Sequence, residues 1–307
     1  MTTGTVSGMA KGFTIGEPVD GIVDVKCANW LGFMTYIDLH HRSSHGVYFR
    51  GQSNSSWPVD STLYREVKRN LRADFPDWSD EQIANLAETE TISLGGNLMQ
   101  SFSGLLCQKQ ALPLTGRQAW MLGRHYGLLT PFIDWTKSPY VAAFFAFVDA
   151  VERRSVSPRK KVVIFAVSSW LFPNELLKKS ADNAKLARHA LKVEAAEYRN
   201  QRAVAQRAVG TYLYPQTDIE SFVRETAPLN LGHQKALSRI YISHKHAEEA
   251  LNHLNRMNVN YASLFPDSAG IAMHSNLNLP MIGYEGMGNW HSPPGFEGLI
   301  PKEEEEE

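Results

Sequence analysis

One run constrains the fold more than any other: SPYVAAFFAFVDAVE, residues 138–152. Ser138 is able to accept from the free amides of a first helical turn, and Pro139 is tolerated at the first helical position. The residues that follow are apolar nearly all round, so this helix has little polar face to offer water and must be buried. Directly before it, LTPFIDWT (129–136) is short, apolar and β-leaning, which predicts a strand. His125, Asp134, Lys137 and Tyr140 therefore crowd the mouth of a buried helix, and this crowding points to the wall of a pocket.

The rest of the chain supplies a strand core with helices around it. GVYFR (46–50) reads as a buried strand running into a turn at Gly51, followed by a loop, SNSSWP. SDEQ (79–82) is a capping box, since Ser79 can cap and Gln82 can reach back. It opens a helix over 79–106 that Gly95-Gly96 should interrupt, and a second helix over 116–126 should end near Gly127. KVVIFAV (161–167) and RIYIS (239–243) predict strands, and KHAEEALNHLNRMN predicts an amphipathic helix with Leu251 and Leu254 on one face. Residues 173–209, rich in Ala, Lys and Arg with few breakers, predict one or two exposed helices between core strands. Beyond about 276 the chain turns Gly-, Pro- and Asn-rich and predicts an extended segment. The fold class is α+β.

Composition excludes more than it assigns. The net charge of −1 is set by the KEEEEE tail, and residues 1–301 carry 30 basic and 27 acidic side chains, or +3. That excess neither argues for nucleic-acid binding nor forbids it. Two cysteines, Cys27 and Cys107, build neither a disulfide framework nor a zinc site alone. MTTGTVSGMAKGF lacks the apolar stretch of a signal peptide, and no run nears the roughly 20 apolar residues of a membrane helix. A cytoplasmic protein without membrane contact is the expectation. His40, His41, His244 and His246 form pairs without a third ligand at a recognisable spacing, so no metal site is expected.

Each candidate side chain has two readings. Arg50 could hold a phosphate or carboxylate beside backbone that Gly51 leaves open, or it could pair with an internal acid. Ser138 could donate to an amide ligand or serve as a plain cap. Tyr140 could stack on a planar ring. Asp134 could act chemically or be satisfied by backbone amides. His125 and Tyr126, beside Gly127, could serve the pocket, or the histidine could merely answer a helix dipole. The basic residues of 178–208 could track a phosphate backbone or form a solvated surface.

YFRGQSNSSWPVDSTLYRE, RHYGLLTPFIDWTKSPYVAAFFAF, the glutamine of LGHQKALSRIYI and NYASLFPDSAGIA, in that order, resemble the FRG-domain family. The resemblance spans about residues 21–275. It leaves 1–20 as an N-terminal extension, 276–307 as a C-terminal extension with an acidic tail, and helical insertions about 65–115 and 172–210. The chain departs from the family pattern at Phe132, where an arginine is common near the proline, and at Lys235-Ala236-Leu237 after the distal glutamine.

FRGQS and DWTKSPYVAAFF are also similar to the two elements with which ADP-ribosyltransferases build an NAD+ site. What this resemblance implies is an ADP-ribosyltransferase-like split β-sheet core and a transferase that uses NAD+ as substrate. Gly51 and Ser138 would hold the nicotinamide amide, Arg50 would fill the first-motif position, and Tyr140 would lie near the ring. Gln52, His125, Tyr126 and Thr136 would complete the site. Gln234 stands where a catalytic carboxylate is usual, so Asp134, Asp267 or Glu225 would supply the charge, with Asp134 preferred and Asp267 second. The implied acceptor is a nucleic-acid base, RNA before DNA, in a toxin or anti-phage effector controlled by an antitoxin or chaperone. A non-catalytic nucleotide- or RNA-binding module and an NAD+ glycohydrolase are the alternatives.

Overall fold

A computed structural model of the chain describes residues 12–42, 46–110, 116–153, 157, 159–172, 189–194, 201–214, 216–226 and 236–277. Its centre is β5 (Lys161–Ser168). Val162, Ile164 and Ala166 enter one apolar core, and Val163, Phe165 and Val167 enter another. A strand whose alternate residues are all apolar must be covered on both faces, and this one is. It pairs antiparallel with β3 (Val47–Gln52) on one side and β8 (Leu237–Ser243) on the other.

Beyond β8 the sheet continues through β2 (Ile22–Cys27) to β1 (Phe13–Ile15). Beyond β3 it continues through β4 (Phe132–Thr136) and β7 (Ala208–Tyr214) to β6 (His189–Glu194). The described residues thus form one mixed eight-stranded sheet in the order β1-β2-β8-β5-β3-β4-β7-β6, in which β2 and β8 run parallel. The α+β class follows directly.

The sheet is not evenly zipped. β3 meets β4 through a single residue pair, Phe49 with Thr136, whereas its pairing with β5 runs from Val47 to Gln52. Past Phe49 the two strands diverge, and the wedge between them opens the site described below.

One face carries α1 (Trp30–His40), α5 (Pro139–Glu152), α8 (Ala247–Arg256) and the short α9 (Tyr261–Leu264). Helix α5 is the buried helix anticipated from SPYVAAFFAFVDAVE. Ser138 Oγ accepts from Val141 N at 3.3 Å, and Pro139 takes the first turn. Phe144, Phe147 and its four alanines are at most 2% exposed. Gly51 of β3 lies directly beneath it: a Cβ there would stand 1.8 Å from the Ala142 carbonyl oxygen. The other face is covered by α7 (Ile219–Thr226) and the turn at Ser169–Phe172.

Between β3 and β4 the chain forms α2 (Thr62–Asp74), α3 (Asp80–Gln110) and α4 (Gly116–His125), which pack on one another. The capping box at Ser79 is present in both directions, 3.2 Å from Gln82 N to Ser79 Oγ and 2.9 Å from Ser79 N to Gln82 Oε1. The expected break at Gly95-Gly96 does not occur. Gly95 seats α3 against Leu63 and Trp120, and this packing outweighs a propensity cost of about 1 kcal/mol per glycine. Helix α4 ends where expected. Gly127 adopts φ +87°, Leu128 N donates to Gly123 O and Gly127 N donates to Arg124 O, a Schellman closure.

The largest correction falls on residues 173–209. Within that span 189–194 and the start of β7 are strands, and α6 (Gln201–Ala205) is a single short helix; 173–188 and 195–200 lie outside the described residues. Pairing of β6 with β7, and of β7 with β4, overrides the helical leaning of Ala, Lys and Glu. YASLF proves helical, capped by Asn260 and Ser263, and α10 (Ser268–Leu277) follows it. No described helix is long and apolar enough to cross a membrane.

Two measurements check this packing. Gly51→Ala forces a methyl group into α5 backbone and should cost about 3 kcal/mol or more in urea unfolding, or prevent folding. Burial pushes the Cys27 thiol up to about 12, while Cys107 is exposed. Ellman's reagent should therefore titrate one thiol in the native protein and two in denaturant.

Candidate functional site

The site grows from the wedge between β3 and β4. On β3, Phe49 and Gly51 face α5, so Arg50 and Gln52 face the opposite side. Arg50 Nη1 donates to the Asp134 carbonyl oxygen at 2.8 Å, a side-chain bond across a gap where the strand ladder has ended. Its Nε is buried with no partner. Burial draws the guanidinium down to about 10, offset by Asp134, so it stays charged at neutral pH.

Arg124, on the last turn of α4, holds the other strand of the wedge. It donates to Thr130 Oγ1 and to the Phe132 carbonyl, each at 2.7 Å, and pairs with the Asp134 carboxylate. Asp134 is not satisfied by backbone amides; its side chain is half-exposed and fixed by this arginine. Thr136 closes the strand end, donating to Gln206 O at 2.7 Å and accepting from Ser138 N at 3.0 Å.

Two cavities meet at Arg50, Gly51 and Phe145. The smaller, about 410 Å³, is walled by Arg124, Asp134, Thr136, Arg202, Gln206 and Phe265. The larger, about 1000 Å³, lies toward α2 and is lined by six cationic and four acidic residues, so it favours anions. Gln52 enters it, only 8% exposed. Its Nε2 donates to Pro58 O at 3.2 Å, while Oε1 has no partner.

The structure thus brings Arg50, Gly51, Gln52, Asp134 and Thr136 to one cleft. Other candidates stand apart. Ser138 is occupied as the α5 cap, and Tyr140 packs edge-on against Phe33 of α1; neither lines the two cavities. Tyr126 is 78% exposed beyond α4, and His125 is the last residue of that helix. Asp267 caps α10 through Gly270 N and bonds Arg202 at 2.5 Å, which holds its carboxyl below the usual range. Glu225 is exposed on α7 and lines neither cavity. Gln234 lies outside the described residues.

Several participants escaped the sequence reading. Arg124 stands immediately before the HYG of the middle motif and carries no signal of its own. The α2 residues of the larger cavity do: Arg65, Lys68, Arg69 and Arg72 recur at one-face helical spacing. Of the histidine pairs, His244 places Nε2 2.7 Å from Ser53 O and His246 places Nε2 3.0 Å from Ala28 O. Among the described residues, no group of three or more His, Cys, Asp or Glu could hold a metal ion.

The pinning role of Arg124 is testable. Arg124→Met should lower stability by about 2 kcal/mol in urea unfolding by stranding its acceptors. Arg124→Lys, which keeps the charge but not the fork, should recover only part of that loss.

No curated protein and no solved structure matches the chain. Residues 45–155 match the family model described as FRG domain, a segment that runs from the start of β3 past the end of α5 and contains Arg50, Arg124 and Asp134. The wedge between β3 and β4 is built within this matched segment.

Proposed function

We propose that the cleft around Arg50 takes NAD+ as substrate and that the protein transfers ADP-ribose to a nucleic-acid base, RNA before DNA. One observation carries this reading: a buried, charged arginine with an unused Nε stands where two cavities meet, in the gap of a splayed sheet. The dianionic pyrophosphate of the dinucleotide would supply the acceptor that Arg50 Nε lacks. The sheet divides at β3 and β4, in keeping with the split core of ADP-ribosyltransferases.

In the reaction, the ribose–nicotinamide bond breaks and its electron pair leaves with nicotinamide. A lone pair of the acceptor base then forms the new bond to ribose, and the acceptor's proton passes to solvent or a carboxylate. Asp134, on the wall of the smaller cavity, is the group that would stabilise the developing positive charge. Arg50 would position the substrate. Cytoplasmic action as a toxin or anti-phage effector, restrained by an antitoxin or chaperone, belongs to the same proposal.

A second reading, a non-catalytic nucleotide- or RNA-binding module, is favoured by one feature. Both acids preferred for catalysis are tied to arginines, Asp134 to Arg124 and Asp267 to Arg202. Such pairing weakens a carboxylate as a counter-charge.

Incubation with labelled NAD+ and, separately, RNA, single-stranded DNA or protein extract divides these readings. The transferase reading expects label on RNA, reduced at least about a hundredfold by Arg50→Ala. Free ADP-ribose alone would indicate hydrolysis. NAD+ neither bound nor consumed would sink the enzyme reading.

A further inference from the structure

The larger cavity is bordered by Gln52, a buried side chain to which the reaction proposed above gives no step. Gln52 is more than nine-tenths buried, and its Nε2 is committed to the Pro58 carbonyl. That bond fixes the amide orientation, so Oε1 is left buried without a donor in a side chain that borders the cavity. An unmet buried acceptor calls for an N–H or O–H from a ligand.

The surroundings define the ligand further. Trp57 is 40% exposed at the cavity wall; the Arg153 guanidinium lies over its ring at 5.3 Å from the centroid, a planar contact of the kind a heterocycle would make in its place. Helix α2 presents Arg65, Arg69 and Arg72 to the same cavity. Arg69 pairs with Glu66, and Arg72 with Asp80 and, through Nη1, the Trp78 carbonyl; both arginines are solvent-accessible at 74% and 39%. Pairs this exposed hold their partners weakly, and a doubly charged phosphate competes for the guanidinium donors.

We propose that this cavity binds a phosphorylated nucleoside, with Gln52 Oε1 accepting from the base, Trp57 beneath its ring and the phosphate on Arg69 and Arg72. The ligand is either a free mononucleotide or the phosphorylated end of a polynucleotide. The site adjoins the proposed NAD+ cleft at Arg50 but does not depend on transferase activity.

The test uses the full chain without NAD+. Calorimetric titrations compare nucleosides with their 5′-monophosphates, and 5′-phosphorylated with 5′-hydroxyl oligoribonucleotides, with inorganic phosphate as control. The phosphorylated member of a pair should bind at least about tenfold more tightly. The double variant Arg69→Glu/Arg72→Glu, on solvent-accessible side chains, should fold normally and abolish that difference. Gln52→Leu should weaken both members of a pair about tenfold and leave the phosphate increment intact.

Binding of the free monophosphate identifies the source as a mononucleotide, and binding of the oligomer alone identifies a chain end. Absence of binding in both arms overturns the proposal, as does a phosphate increment that survives the double variant. Inorganic phosphate binding as tightly as the nucleotide overturns the assignment of a base. Since NAD+ is absent throughout, none of these failures bears on the transferase reading.

Discussion

The close approach of α5 to β3 is the contact on which the remaining architecture depends. Gly51 has no side chain, so the carbonyl of Ala142 occupies the space where a Cβ would lie. A helix seated this deeply brings Phe144 and Phe147 into the sheet-facing core. It also fixes which way β3 presents its other residues. With Phe49 and Gly51 toward the helix, Arg50 and Gln52 are obliged to face the opposite cavity. A packing requirement thereby sets the direction of the two polar groups that define the site.

Arginines take over where the ladder between β3 and β4 stops. A parted sheet leaves edge groups that hydrogen bonding must satisfy, and an open edge is a liability in any fold. Arg50 reaches from β3 to the Asp134 carbonyl, and Arg124 reaches from α4 to Phe132 O and the Asp134 side chain. Each strand keeps its ladder on the far side, to β5 or to β7, and on the side of the gap forked cations stand in for the missing backbone partners. Side-chain bridges leave room between the strands that a continuous ladder would fill, and the two cavities meet there.

The elements with strong local signals were legible in the sequence. The serine–proline start of α5, the capping box of α3, the Gly127 stop of α4 and the doubly apolar β5 each depend on chemistry within a few residues. What eluded the reading was decided over long range. His189–Glu194 has the composition of a helix and becomes a strand because β7 offers it an edge. Gly95 looks like a breaker and serves as a seat for packing. At the site, Arg50 and Asp134 were legible as a strand end and a strand centre. The bond between them was not, since it spans 84 residues and depends on the parting of the sheet. Ser138 and Tyr140 read as pocket residues from their place at the start of α5 and from the resemblance to a transferase element; the structure uses Ser138 as the α5 cap and packs Tyr140 on Phe33 of α1.

Arg50 resolves the ambiguity between a ligand clamp and an internal partner by being partly each. Its Nη1 is committed to the protein and its Nε is not. On the same strand face, Gln52 repeats the pattern, with Nε2 bonded and Oε1 unmet. An unmet buried polar atom costs about 1–3 kcal/mol, so two of them on alternate residues are a substantial burden for a marginally stable fold. Replacement of both by apolar residues of similar shape would remove that cost. Their presence in a cleft already lined by cations is the expected signature of groups whose partners arrive with a ligand.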